Sequence, residues 1–91
     1  MMDTRLTEYV TKDLSEAASL VCKGAKLLRL QQESDFFWFV FQNKSSCEEL
    51  SNAYWNGELQ VSAKSYSNTL KELKDRLFSR RDKKERGSHG S

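Results

Sequence analysis

The segment DFFWFVFQ, residues 35–42, decides how the rest of the chain folds. Six large apolar residues, Phe36 to Phe41, follow one another. The run is aromatic and short, which suits a strand. Successive strand side chains alternate between faces, so Phe37, Phe39 and Phe41 point one way and Phe36, Trp38 and Val40 the other. A sheet covered on one side needs only one apolar face. Here both are apolar, and three covers compete for the second. One is a helix of the same chain, with the last helix first in line. Another is a dimer or partner interface built on Phe36 and Trp38. The third is a platform for nucleic-acid bases, each stacked base contributing roughly 1–3 kcal/mol. Stacking calls for basic residues among the aromatics. Lys26 and Arg29 on the neighbouring strand fall on opposite faces, and the glycine–aromatic pattern of an RNA-recognition motif is missing.

Working outward, AKLLRLQQ (25–32) is predicted as a strand, with Lys26, Leu28 and Leu30 opposite Leu27 and Arg29. Glu33-Ser34 leaves a two-residue hairpin connection, although neither residue favours positive φ. Upstream, Thr7–Thr11 is a short strand by propensity. Leu14, Ala17, Ala18 and Val21 then recur at helical spacing. Thr11 or Asp13 caps that helix, Asp13-x-x-Glu16 has the capping-box spacing, and Gly24 stops it.

Downstream, residues 43–45 read as a loop. Ser46-Cys47-Glu48-Glu49 reads as a capping box opening a helix whose inner face is Leu50, Ala53 and Tyr54. Asn56-Gly57 ends it, and residues 58–61 are predicted extended. Ser62 caps a last helix, on which Tyr66, Leu70, Leu73 and Leu77 form a stripe with Ala63 and Phe78 beside it. Glu72 and Arg76 are spaced for an i,i+4 ion pair, and fraying is expected between Arg80 and Arg86. The expected fold is α+β. A small antiparallel sheet, the hairpin 25–32/35–42 plus short strands, carries three helices in two layers.

Ninety-one residues make one domain, since single domains run roughly 50–250 residues. Leu, Val and Phe number 20 and Ile is absent, but ten aromatics add bulk, so the chain as a whole is not a disordered one. No apolar run approaches the ~18 residues of a membrane span, and MMDTRLTEYV lacks the apolar core of a signal peptide. Cys22 and Cys47 are too few for a disulfide framework and sit in no metal-ligand spacing. Two reduced thiols and a cytoplasmic location are expected. The net charge of +2 hides an asymmetry. RLFSRRDKKER (76–86) carries six Lys/Arg against two Asp/Glu, whereas residues 1–75 carry nine against eleven. Such a terminal run is a solvated extension or a phosphate anchor. Residues 1–79 are read as the domain and 80–91 as a flexible basic tail. The closing GSHGS reads as vector-derived and holds the single histidine, His89.

Catalytic patterns are missing. The four glycines form no phosphate loop. No cysteine has a histidine partner. Glu48 and Glu49 are adjacent, hence on different helix faces, and capping explains them better than acid–base work. Tyr54-Trp55-Asn56-Gly57 could edge a ligand, but core for Tyr54, a half-buried lid for Trp55 and a helix stop for Asn56-Gly57 account for it better. No cofactor, metal or small-molecule substrate is implied.

Asp13, Leu14, Ala17, Leu20, Lys23-Gly24 and Lys26-Leu27-Leu28, followed by Phe39-Val40-Phe41, Tyr54-Trp55-Asn56-Gly57-Glu58-Leu59-x-Val61 and Leu70-x-x-Leu73-Lys74, form a familiar combination. The chain resembles, over about residues 8–79, a family of small prokaryotic and phage-associated proteins known only as a domain of unknown function. YWNGEL-x-V is its most specific part. The resemblance implies a short accessory protein and carries no functional residues with it. The aromatic 33–38 stretch and the RRDKKER tail depart from the family pattern.

The expected function is therefore non-enzymatic, with nucleic acid the favoured partner and no membrane. Arg80, Arg81, Lys83, Lys84 and Arg86 would contact phosphates, extended by Lys71, Lys74 and Arg76. The alternative is a protein-interaction module, homodimer or inhibitor, using strand 36–41. Phe36, Trp38 and Trp55 are the candidate interface or stacking residues in either case.

Overall fold

Strand β3 (Phe36–Gln42) lies at the centre of a three-stranded antiparallel sheet, between β1 (Glu8–Thr11) and β2 (Leu27–Glu33). The computed structural model describes the backbone of residues 7–89 and the side chains of residues 7–80. Helix α1 (Leu14–Cys22) joins β1 to β2, and α2 (Lys44–Trp55) and α3 (Ala63–His89) follow the sheet. This is an α+β fold. Phe37, Phe39 and Phe41 meet Ala17, Ala18 and Leu20 of α1, Cys47 of α2 and Leu73 of α3 in one core. The most apolar strand takes the central position, paired with β2 along Phe36–Phe41 and with β1 along Phe39–Gln42.

The hairpin differs from expectation in two ways. Its turn is Ser34-Asp35, with Glu33 still paired to Phe36. Ser34 takes the positive φ, 56°, that a tight turn demands. In β2 the register shifts: Leu27 opposes Phe41, while Arg29 opposes Val40. The extra residue is Leu28, a bulge. It returns Leu27 to the core side with Leu30 and turns Leu28 outward, so Leu28 and Leu30 do not share a face. The bulge thus resolves a sequence whose alternation would bury the wrong leucine.

Asp13 caps α1, its carboxylate accepting from Glu16 N at 2.8 Å. The reciprocal half of the capping box is made by Thr11, whose Oγ1 accepts from Asp13 N at 3.1 Å. Glu16 turns into the protein instead. Gly24, at φ 95°, supplies the left-handed residue that stops the helix. Helix α2 begins three residues earlier than the Ser46 box predicts. Asn43, itself left-handed at φ 70°, is the cap, and its Oδ1 accepts from Ser46 N at 3.3 Å. Lys44 N donates to Thr7 O at 2.9 Å, so the chain passes from β3 into α2 without a loop.

Residues 58–61 are not a strand. The Glu58 and Leu59 N–H groups turn back instead to the Ala53 carbonyl at the end of α2. Ser62 caps α3 through Ser65 N, as expected. Leu73 is buried and Tyr66, Leu70 and Leu77 pack against the core, whereas Ala63 is exposed and Phe78 is 63% exposed. The stripe is one residue wide at its far end, and Phe78 falls on its solvent side. Glu72 and Arg76 form no ion pair among the described residues. The backbone of α3 is helical to His89; the side chains where fraying was expected lie outside the described residues beyond Arg80.

Candidate functional site

All three helices pack on the Phe37/Phe39/Phe41 face, so the last helix does not cover the Phe36/Trp38/Val40 face. Long side chains of the sheet itself close much of it. Arg29 on β2 reaches across β3 to Glu8 on β1 in a two-pronged ion pair of 3.0 and 3.2 Å. That hydrogen-bonded pairing raises the Arg29 pKa. Val40, beneath this strap, is only 1% exposed. Trp38 donates its Nε1–H to Glu33 Oε1 at 2.6 Å and packs edge-on against Phe36 at 5.4 Å. Lys12 Nζ sits 5.0 Å from the Phe36 ring centre. Phe36 and Trp38 are thus half-buried, and Val10, opposite Val40 on the same face, is 49% exposed. This face carries Lys12 and Arg29 against Glu8 and Glu33. Its electrostatics are balanced, and a carboxylate sits on the indole edge. Such a surface gives a phosphate backbone little attraction.

Trp55 is remote from that face in the sequence of elements. It closes α2, 61% exposed, with its ring edge-on to Tyr54 at 4.8 Å. The structure therefore does not make one aromatic surface of Phe36, Trp38 and Trp55 through shared contacts.

The basic candidates divide by position. Lys71, Lys74, Arg76 and Arg80 are exposed on α3. Arg81, Lys83, Lys84 and Arg86 belong to the same helix by backbone, and their side chains lie outside the described residues. At 3.6 residues per turn, Arg76 and Arg80 are only about 40° apart, whereas Lys71 is about 140° from Arg76 and 180° from Arg80. Arg76 and Arg80 line a cavity of about 350 Å3 with Ser79 of α3 and with Leu28, Arg29 and Leu30 of β2. No acidic residue lines it. The Arg80 guanidinium also lies 5.7 Å over the Phe37 ring centre, a cation–π contact that holds it near the sheet. Neither Arg76 nor Arg80 is in an ion pair among the described residues. A neighbouring cavity, with Leu27, Thr69, Leu73 and Arg76 in its wall, does carry acids, Glu72 and Asp75.

A buried polar cluster was not read from the sequence. Glu16 is 3% exposed and has no basic partner among the described residues. Tyr9 donates its hydroxyl to Glu16 Oε2 at 2.5 Å and Thr11 donates to Oε1 at 2.7 Å. Tyr9 has one proton and gives it to Glu16, so the 2.9 Å hydroxyl contact with Ser51 makes Ser51 the donor. Burial, then the Glu16 carboxylate, pushes the Tyr9 hydroxyl up to about 12. Burial likewise raises the Cys47 thiol, with Glu16 adding to it. A thiol held that way stays protonated at neutral pH and is a poor nucleophile. The signal for this cluster was present: Tyr9 and Thr11 share the inward face of β1, and inward hydroxyls require a polar partner. Every oxygen of the cluster is occupied, so it reads as architecture. The described residues contain no group of three or more potential metal ligands, and none of their helices is long and apolar enough to cross a membrane.

A family model described as a domain of unknown function (DUF5659) matches residues 7–79, and the chain belongs to that family. No curated protein and no solved structure matches the chain. The matched span holds all six elements up to Ser79 of α3 and stops just before the RRDKKER run.

Proposed function

We propose that this family member is a non-enzymatic accessory protein that associates with nucleic acid through the phosphate backbone, using the basic side of α3. The observation that carries this reading is the charge left unpaired on one helix. Among the described residues Arg76 and Arg80 have no carboxylate partner, whereas Arg29 of the aromatic sheet face is held by Glu8. Unpaired guanidinium groups are free to make two-pronged contacts with phosphate. Backbone contacts position a protein without reading sequence, so preference among sequences is weak.

The test is fluorescence anisotropy with labelled single- and double-stranded DNA and RNA at about 50 and 200 mM salt. Full-length protein and a 1–79 truncation are compared. Binding that falls steeply with salt and weakens on truncation supports the reading. No binding at about 50 mM salt overturns it.

A second reading is favoured by the open Val10, opposite Val40 on the face that carries Phe36 and Trp38. There the balanced sheet face docks a protein, a second copy included. Its mark is concentration-dependent mass in sedimentation, abolished by Val10→Glu.

A further inference from the structure

The groove between the β2 edge and α3 separates two kinds of positive charge on one helix. We infer that this groove, and not the outer Lys71/Lys74 side of α3, is where a phosphodiester strand seats, with Arg76 and Arg80 as its two phosphate ligands. The inference deepens the proposed function and rests on that reading.

Three observations converge on the groove. First, Arg76 and Arg80 are one helical turn apart on nearly the same line of α3, so their guanidinium groups address one track rather than scattered directions. Second, the track is concave: α3 forms one wall, and Leu28, Arg29 and Leu30 form the other. At about 350 Å3 it falls at the small end of ligand-binding cavities, which run from about 300 Å3. Third, its charge is one-signed. Arg29 lines it while Glu8 holds its guanidinium, and Arg76 and Arg80 have no acidic partner among the described residues. Ser79 adds a hydroxyl between them. The bulge matters here, because it is what turns Leu28 out of the core and into the groove wall. Low-dielectric walls beside like charges focus their field, so a phosphate is drawn more strongly here than to Lys71 or Lys74 standing in open solvent.

Charge complementarity commits the occupant to an anion, and the fork of guanidinium donors suits phosphate oxygens in pairs. A carboxylate-rich peptide is the competing occupant, and the experiment separates the two.

The probe is a fluorescein-labelled 20-nucleotide dT strand, titrated into the full chain across a salt series. Arg76→Gln/Arg80→Gln is expected to weaken binding at least tenfold and to flatten the slope of log K against log salt by roughly 1.4, since each lost phosphate contact on a single strand removes about 0.7. Lys71→Gln/Lys74→Gln is expected to weaken it less than threefold. Arg76→Lys/Arg80→Lys keeps the charge and should restore the slope while recovering only part of the affinity, because a lysine cannot make the two-pronged contact. Urea midpoints for all three variants guard against a folding defect. If Arg80 proves necessary for folding through its place over Phe37, the single Arg76→Gln is expected to flatten the slope by about 0.7. Equal losses from both pairs of substitutions overturn the groove and leave the nucleic-acid reading standing. Displacement of the strand by oligoglutamate at equal charge concentration overturns the choice of phosphate. Absence of binding by the unaltered chain overturns both.

Discussion

Tyr9→Phe removes a single oxygen from the protein and tests whether Glu16 is held as described. The ring stays, so packing against the core is conserved and no cavity forms. What changes is hydrogen bonding. Glu16 Oε2 loses its donor, and the Ser51 hydroxyl loses its acceptor. Glu16 is 3% exposed, so water cannot substitute freely. A hydrogen bond to a charged group contributes about 1.5–3 kcal/mol, and a stranded buried hydroxyl adds to the cost. The expected loss is about 2–3 kcal/mol, a large part of the roughly 5 kcal/mol of a small domain. With a urea slope of about 1 kcal/mol/M, the midpoint falls by roughly 2 M. Trp38 and Trp55 report unfolding by fluorescence.

The same substitution has a pH signature. Below pH 10 both folded and unfolded Tyr9 carry the proton, and the full contribution is present. Above 10 the unfolded chain releases it, while the folded chain keeps it until about 12. Stability is therefore lost as pH rises from about 10 to 12. A two-unit displacement corresponds to about 2.7 kcal/mol, and partial exposure of the ring reduces this to roughly 1–2 kcal/mol. Cys47, also raised, contributes in the same direction. The unaltered chain should lose stability across this window and Tyr9→Phe should lose less. A midpoint drop under about 0.5 M, or identical alkaline limbs for the two proteins, would refute the arrangement around Glu16.

Phe39→Ala opens the centre of the core and should cost about 3–5 kcal/mol, enough to abolish a cooperative melt; a melt within a few degrees of the unaltered chain would show that Phe39 is not core. Leu73→Ala should cost more than Leu70→Ala, since Leu73 is buried and Leu70 only partly so; equal denaturation midpoints would contradict the packing of α3. Asn43→Ala removes the cap of α2 and forces a Cβ-bearing residue without a local hydrogen bond into left-handed backbone, at about 1–2 kcal/mol. Asn43→Gly, which frees φ, should cost much less, and the difference between the two midpoints is the readout.

The parts of this fold that were legible in sequence are those where local chemistry and tertiary context agree. Six apolar residues at 36–41 demand a buried strand whatever surrounds them. Asp13, Gly24, Asn56-Gly57 and Ser62 mark helix ends by backbone needs that are purely local. What was not legible depends on a second segment. The Leu28 bulge exists because β2 must match the core side of a strand nine to fourteen residues away in the register. Asn43 outcompetes Ser46 as a cap because Lys44 N finds the Thr7 carbonyl just before β1. Glu16 fits a capping box on spacing alone, yet Tyr9 and Thr11 draw it inward. The site divided in the same way. The basic character of α3 was plain in composition, but the separation of Arg76 and Arg80 from Lys71 and Lys74, and the groove wall supplied by β2, required the packed helix. The Glu72–Arg76 spacing pointed the other way, toward a neutralised pair that the structure does not form.

Strand β1 has one further consequence. It is four residues long, and among the described residues it is the strand that pairs with Phe39–Gln42 on one side of β3. If β1 peels away, Phe39, Val40 and Phe41 become a bare edge of main-chain donors and acceptors, without proline and without charge. Segments of that composition template strands from other molecules and stack into fibrils. The brief opening of the four residues of β1, rather than global unfolding, would then set how long this protein survives in concentrated solution. The ion pair from Glu8 to Arg29 acts as a latch on that opening, spanning the sheet from one edge to the other.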